Sequence, residues 1–181
     1  MKWMIASDLH GSLPACERML ERFEREEAER LLLLGDLLYH GPRNDLPRGY
    51  DPKGVAARLN GQKENLLCVR GNCDAQVDQA MLDFPILSEL LLFFVGGRTV
   101  FATHGDAYHE DRLPPLHPGD VLLHGHTHIP VLQRREGWLL INPGSVAIPK
   151  GGSAPSYLTL EDGVFTLRAL ETGEAEASLA L

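Results

Sequence analysis

Five short clusters carry side chains able to hold a metal ion: Asp8-Leu9-His10, Gly35-Asp36, Gly71-Asn72-Cys73-Asp74, His104-Gly105 and Gly125-His126-Thr127-His128. Asp8 and His10 stand two apart in a turn, so they can grip one ion from the same side, and His126 and His128 repeat that spacing. A carboxylate such as Asp36 can bridge two ions through its two oxygens. Asn72 adds a neutral oxygen and His104 an imidazole nitrogen. The inventory fits a pair of divalent ions, and mixed nitrogen and oxygen donors with no thiolate requirement point to Mn, Fe or Zn over Mg or Ca. Each cluster alone has a plain reading: Gly-Asp and Gly-Asn are common turn dipeptides, and Asp-x-His suits a satisfied loop. Five of them in one chain, each following an apolar run, read as one site.

Those apolar runs are the elements that must position the site. Trp3–Ser7, Leu31–Leu34, Leu66–Val69, Thr99–Thr103 and Val121–His124 read as strands, and each delivers its cluster at its carboxyl end, where open sheets build their crevices. Ser12 caps a helix whose Leu13, Cys16, Leu20 and Phe23 recur at helical spacing, and the opposite face carries mixed charges including the pair Glu21 and Arg25. The charge run Glu24–Arg30 reads as a solvated face of mixed sign. Asp51-Pro52 opens a second helix ending near Asn60-Gly61, and Asp74–Leu82 reads as a third. Leu90–Val95 and Thr99–Thr103, joined by Gly96-Gly97, form a hairpin, as do Tyr157–Leu160 and Val164–Leu170. Leu139–Asn142 is a further strand. Alternating strands and helices argue for an α/β layered sheet protein, and no repeat or linker divides the chain, so residues 1–181 are expected to form one domain.

Composition bounds the function. The 181 residues carry 25 acidic and 17 basic side chains, a formal charge of -8, which disfavours a bulk grip on nucleic acid or an anionic membrane. Any phosphate must be held locally. Three cysteines with no CxxC pair argue against a disulfide scaffold, no window has the roughly 20 apolar residues of a membrane helix, and the N-terminal apolar stretch is too short for a signal segment. The expectation is a soluble, cytoplasmic protein. Lys150-Gly151-Gly152 lacks the preceding Gly-x-x-x-x-Gly-Lys spacing, so nucleotide-triphosphatase chemistry is rejected.

In order and position the five clusters resemble the motifs of the calcineurin-like metallophosphoesterase superfamily. The GNCD form, the loop Asp36–Asn44 and the segment Asn142–Gly152 are similar to its small bacterial phosphodiesterases of the YfcE type. The resemblance implies a four-layer fold of class α/β (α+β), two facing mixed β-sheets flanked by helices. It implies that Asp8, His10 and His128 hold one ion, that Asn72, His104 and His126 hold the other, and that Asp36 bridges both. Two divalent ions, Mn2+ foremost with Fe, Zn or Ni as alternatives, would lie roughly 3.5–4 Å apart and activate a bridging water for in-line attack on a small phosphodiester. Bound cations would also let an acidic protein take an anion.

Many members of that family carry His where this chain has Cys73. A thiol is a weaker donor, which disfavours monoesters and favours diesters with good leaving groups; the bland alternative is a small buried filler. Catalytic candidates are Asn72, Cys73 and His40, the last as proton donor or lid residue. Arg43, whose fork suits phosphate oxygens, and Asn44 are candidates for substrate binding. His124 reads as structural, and His109 and His117 as loop surface. Competing readings are a metal-binding scaffold of the same fold, as in a retromer subunit, a phosphomonoesterase, and a nuclease. The full ligand set favours catalysis, while the charge and the short chain count against a nuclease. Self-association is compatible with the pattern.

Overall fold

Met4, Ile5 and Ala6 are wholly buried, as are Leu31–Leu34, because the sheet they build is covered on both faces. In the computed structural model, which describes residues 1–181, β1 (Trp3–Ala6) pairs in parallel with β2 (Arg30–Leu33), and β2 pairs in parallel with β3 (Leu66–Cys68). Alternation along each strand divides the core. Met4, Ala6, Leu31 and Leu33 face α1 (Leu13–Arg25) and α2 (Pro52–Asn60), whereas Ile5, Leu32 and Leu34 face a second sheet. Ser12 Oγ accepts the Ala15 N–H at 3.4 Å and Asp51 accepts the Gly54 N–H at 3.0 Å, so both helices start at side-chain caps followed by proline in the first turn.

The second sheet holds β4 (Leu91–Val95), β5 (Arg98–Ala102), β6 (Val121–Leu123), β7 (Pro130–Arg135) and β8 (Trp138–Pro143) in the order β4-β5-β6-β8-β7. Strands β5, β6 and β8 are parallel, and β4 and β7 close the edges antiparallel. The first sheet is completed by β9 (Ser156–Glu161), β10 (Val164–Ala169) and β11 (Ala175–Ala180), in the order β11-β10-β9-β1-β2-β3. Each sheet therefore joins a parallel triplet to antiparallel strands, on both sides in the second sheet and on one side in the first. Fourteen buried apolar residues contributed by both sheets fill the space between them.

The structure departs from the sequence expectation at three elements, β7, β11 and the third helix. Strands β7 and β11 are absent from the expectation: both are sheet edges in which half or more of the side chains are exposed, and the alternating Ala175 and Ala177 of β11 are too small to mark an apolar face. The expected helix 74–82 shrinks to one turn, α3 (Gln76–Gln79): the Asp74 side chain turns inward, and the Gln79 amide donates to the Leu82 and Phe84 carbonyls, ending the helix. Helical cover lies on the six-stranded sheet alone. Residues 103–120, which link β5 to β6, are loop, and Pro114, Pro115 and Pro118 deny them a helix. No helix is long and apolar enough to cross a membrane.

Candidate metal centre

Parallel pairing puts the carboxyl ends of β1, β2 and β3 on one edge of their sheet, and those of β5 and β6 on one edge of the other. The turns beyond them are stitched together. Asp8 N–H donates to Gly35 O at 3.2 Å, His10 N–H to Asp36 O at 2.8 Å, Gly125 N–H to His104 O at 2.7 Å, and His126 N–H to Asp8 Oδ2 at 3.1 Å. Asp8, His10, Asp36, His126 and His128 all take left-handed backbone, with φ between 46° and 65°. That region costs about 1–2 kcal/mol for each residue with a Cβ, so five such turns need a scaffold that over-determines them.

The scaffold is polar and buried. Asp74 accepts the N–H groups of Asp36, Leu37 and Gly71 at 2.8, 2.9 and 2.8 Å, locking the second cluster to the third. Gly71 is required by close approach, since a Cβ there would stand 2.1 Å from Asp36 Oδ1. Asn142, wholly buried on β8, donates to Gly125 O at 2.8 Å and Thr127 Oγ1 at 3.1 Å and accepts the Gly144 N–H, setting the His126–His128 turn. Ser7 donates to Asp8 Oδ2 at 2.6 Å and Ser145 to Asp8 O at 2.9 Å. Sequence reasoning gave Asp74, Asn142, Ser7 and Ser145 no supporting role of this kind. A polar residue in or beside an otherwise apolar strand, as at Ser7 and Asn142, was the available signal.

Within this frame acceptors face acceptors. His10, His104 and His128 point Nδ1 at the carbonyls of Tyr39, Leu34 and Ile148 at 2.9, 2.7 and 2.8 Å, so in a neutral ring each Nε2 holds a lone pair. Yet the Nε2 atoms of His10 and His128 lie 3.4 Å apart. That of His104 is 3.1 Å from Asn72 Oδ1, 3.1 Å from His126 Nδ1 and 3.4 Å from Asp36 Oδ2. Asp8 Oδ1 stands 3.2 Å from His128 Nε2 and 3.6 Å from His10 Nε2, buried and without a hydrogen-bond partner. Asp36 shares one oxygen, not two: Oδ1 accepts the Cys73 N–H at 2.8 Å, while Oδ2 lies 3.5 Å from His10 and 3.4 Å from His104. Such a nest needs positive charge, and the donor set fits a pair of divalent ions.

Without such ions the charge must come from protons. Burial disfavours a charged His104, but the facing Asp36 carboxylate and the Asp8 charge outweigh it and hold the imidazole up at about 9. His10 is raised for the same reasons, with Asp8 as its main partner against burial. Burial works against ionisation of Asp8 as well, yet its contacts with His10 and His128 hold it far below the usual carboxylate range. Burial, then Asp36, push the Cys73 thiol up to about 12, so it stays protonated at neutral pH.

A pocket of about 410 Å³ opens on this nest, lined by His10, Asp36, Asn72, His126 and His128 among others. Cys73, Arg43 and Asn44 also line it, although the Asn44 amide is turned back onto the His40 carbonyl at 2.9 Å. His40 does not reach it. Its ring packs edge-on between Tyr39 and Tyr50, with a buried Nδ1 lacking a partner. Lys150, rejected as part of a nucleotide-triphosphatase loop and given no other role in the sequence, does line the pocket, brought there by its N–H bond to His128 O at 3.0 Å. His124 is buried beside Asn142, and His117 is exposed.

Residues 1–162 match the family model for the calcineurin-like phosphoesterase superfamily domain. Phosphodiesterase YfcE of Escherichia coli K12 is 48% identical over 181 residues, covering all of this chain and 98% of that protein. Probable metallophosphoesterase YsnB of Bacillus subtilis is 28% identical, over 93% of this chain and 89% of its own. Among solved structures, E. coli Yfce, described as a phosphoesterase, superposes with a TM-score of 0.96 at 47% identity over 99% of both chains. Vps29 of Chaetomium thermophilum, at 17% identity over all of this chain and 97% of its own and a TM-score of 0.63, shares the fold.

Proposed function

The chain belongs to the calcineurin-like phosphoesterase superfamily, and on that premise we propose that it is a metal-dependent phosphodiesterase that hydrolyses a small phosphodiester at the pocket above Asp36. The observation that carries the reading is the buried nest of lone pairs, with Asp8 Oδ1 left unpartnered and Asp36 Oδ2 shared between two imidazoles. Asp8, His10 and His128 would hold one divalent ion, Asn72, His104 and His126 the other, with Asp36 between them. When bound, such a pair supplies an activated water and a clamp on the phosphate oxygens.

The protein's own groups divide the remaining work. Carbonyl contacts at Nδ1 fix three imidazoles with Nε2 inward, so no tautomer change precedes ion binding. Arg43, exposed on the pocket wall with no acidic partner, is free to fork onto non-bridging phosphate oxygens. Cys73, kept neutral, is a weak proton donor to a departing oxygen, which favours diesters with good leaving groups over monoesters. The net charge of -8 fits a small substrate held by local cations and not a long nucleic acid. Mn2+ is the proposed resident ion, on the strength of a nitrogen and oxygen donor set. Free thiols at Cys16, Cys68 and Cys73 support a reducing, cytoplasmic setting, and a core shared by both sheets supports one domain over 1–181.

Hydrolysis of bis(4-nitrophenyl) phosphate by stripped protein, reloaded separately with Mn2+, Fe2+, Zn2+ and Ni2+, tests the reading. Activity is expected in loaded protein alone, highest with Mn2+. Equal turnover before and after stripping would refute it.

A further inference from the structure

A second concavity of about 270 Å³ lies against the first, and Cys73 is a wall of both. Its other lining is apolar or aromatic except for Asp78, whose carboxylate accepts the Ala75 N–H at 2.8 Å; Tyr39, Tyr50, Val77 and Met81 are the principal groups. Val77 is 70% exposed, Tyr39 40% and Met81 37%, an unusual amount of large apolar surface to leave beside a charged pocket. The shelf is built on the metal centre's own supports. The carbonyl of Tyr39 accepts from His10 Nδ1, and the ring of Tyr50 lies where a Cβ on Gly11 would meet it at 2.5 Å. Its walls are thus fixed relative to the nest.

We propose that this shelf, joined to the ion pocket across Cys73, seats an aromatic arm of the phosphodiester substrate, which makes the preferred substrates diesters with at least one flat, apolar ring. The inference rests on the phosphodiesterase reading above. Volume allows it, since an apolar cavity of about 150 Å³ already takes up benzene. Tyrosine faces and a thioether are good partners for a ring. The phosphate and its ring thereby meet a polar and an apolar wall respectively, the usual division of labour in a small-molecule site.

Two phosphonate monoesters with a single variable arm test the assignment, because that arm is held by a P–C bond that is not hydrolysed and their remaining ester has methanol, a poor leaving group, against the nitrophenol of the reporter. Methyl benzylphosphonate and methyl methylphosphonate are competed against bis(4-nitrophenyl) phosphate on the Mn2+-loaded protein. The benzyl compound is expected to bind about tenfold more tightly or better. In Val77→Asp and in Met81→Ser the ratio of inhibition constants should fall below about threefold; Val77 is exposed enough that its variant folds. Equal constants in the wild-type protein, or a ratio preserved in both variants, would overturn the shelf while leaving the hydrolysis of the reporter intact. No hydrolysis of the reporter would instead overturn the reading beneath it. If Val77→Asp halves the sedimenting mass and keeps the ratio, the shelf is a contact between copies of the chain and the proposal is wrong.

Discussion

Asp36 and Asp162 share a backbone conformation, with φ of 56° and 49°, and nothing else. Asp162 precedes Gly163, also left-handed, in the two-residue turn between β9 and β10, where an Asp-Gly pair with positive φ matches the twist of a hairpin. The conformation there is local turn chemistry. Asp36 belongs to no hairpin. Its turn is held open by Asp74 from below and by the close approach of Gly71, and the result is a carboxylate oxygen aimed between two imidazoles. The difference teaches how to read strain: where turn chemistry explains it, it is inert, and where distant buried groups enforce it, it sustains a site.

The comparison is sharpest if the carboxylate alone is changed. Asp36→Asn, nearly isosteric, should lower kcat with Mn2+ and bis(4-nitrophenyl) phosphate by about a thousandfold or more, with the far-ultraviolet dichroism of the fold retained. Next comes the support beneath it. Asp74→Ala leaves three buried N–H groups without an acceptor, and urea unfolding should show a loss of about 3 kcal/mol or more, with Mn2+ affinity about 10- to 100-fold weaker; unchanged values for both would detach Asp74 from the site.

Protons give a third, smaller effect. The raised His104 contributes stability that is complete below its ordinary value near 6.5 and is lost as pH rises through about 9. Stripped protein should therefore melt at progressively lower temperature across that window, while Mn2+-loaded protein, in which the proton is displaced, should not follow it. Parallel curves would mean that ions do not occupy the His104 nitrogen. Smallest of all is the control turn: Asp162→Gly should shift stability by less than about 1 kcal/mol and leave kcat/KM within about twofold, checked by the same melts and assay. A large activity loss there would erase the contrast between the two aspartates.

Much of this was legible in the chain because the parallel triplets write themselves plainly. Leu31–Leu34 and Val121–Leu123 are covered on both faces, so their runs are unbroken, and the polar residues that follow stand out against them as chemistry. The edge strands β7 and β11 were not legible, since a strand with one partner and a wet face needs no apolar alternation. The candidate metal donors were visible by type and spacing. The way Asp36 offers a single oxygen was not, because it depends on the Cys73 N–H, 37 residues away in sequence. His40 was misplaced for a similar reason: its loop passes the pocket, but two tyrosine rings hold the imidazole away from it. Asp74 works through backbone N–H groups alone and Asn142 largely through backbone groups, which carry no signature in the residues they bind.

The central claim is that the crowded lone pairs are a place for two cations and that turnover depends on both. Calorimetric titration of stripped protein with Mn2+, followed at each step by the hydrolysis of bis(4-nitrophenyl) phosphate, tests it most directly. Two ions per chain are predicted, with activity rising as the second binds and Asp36→Asn disrupting both signals. Saturation at one ion with full activity, or turnover before any ion is added, would contradict the account.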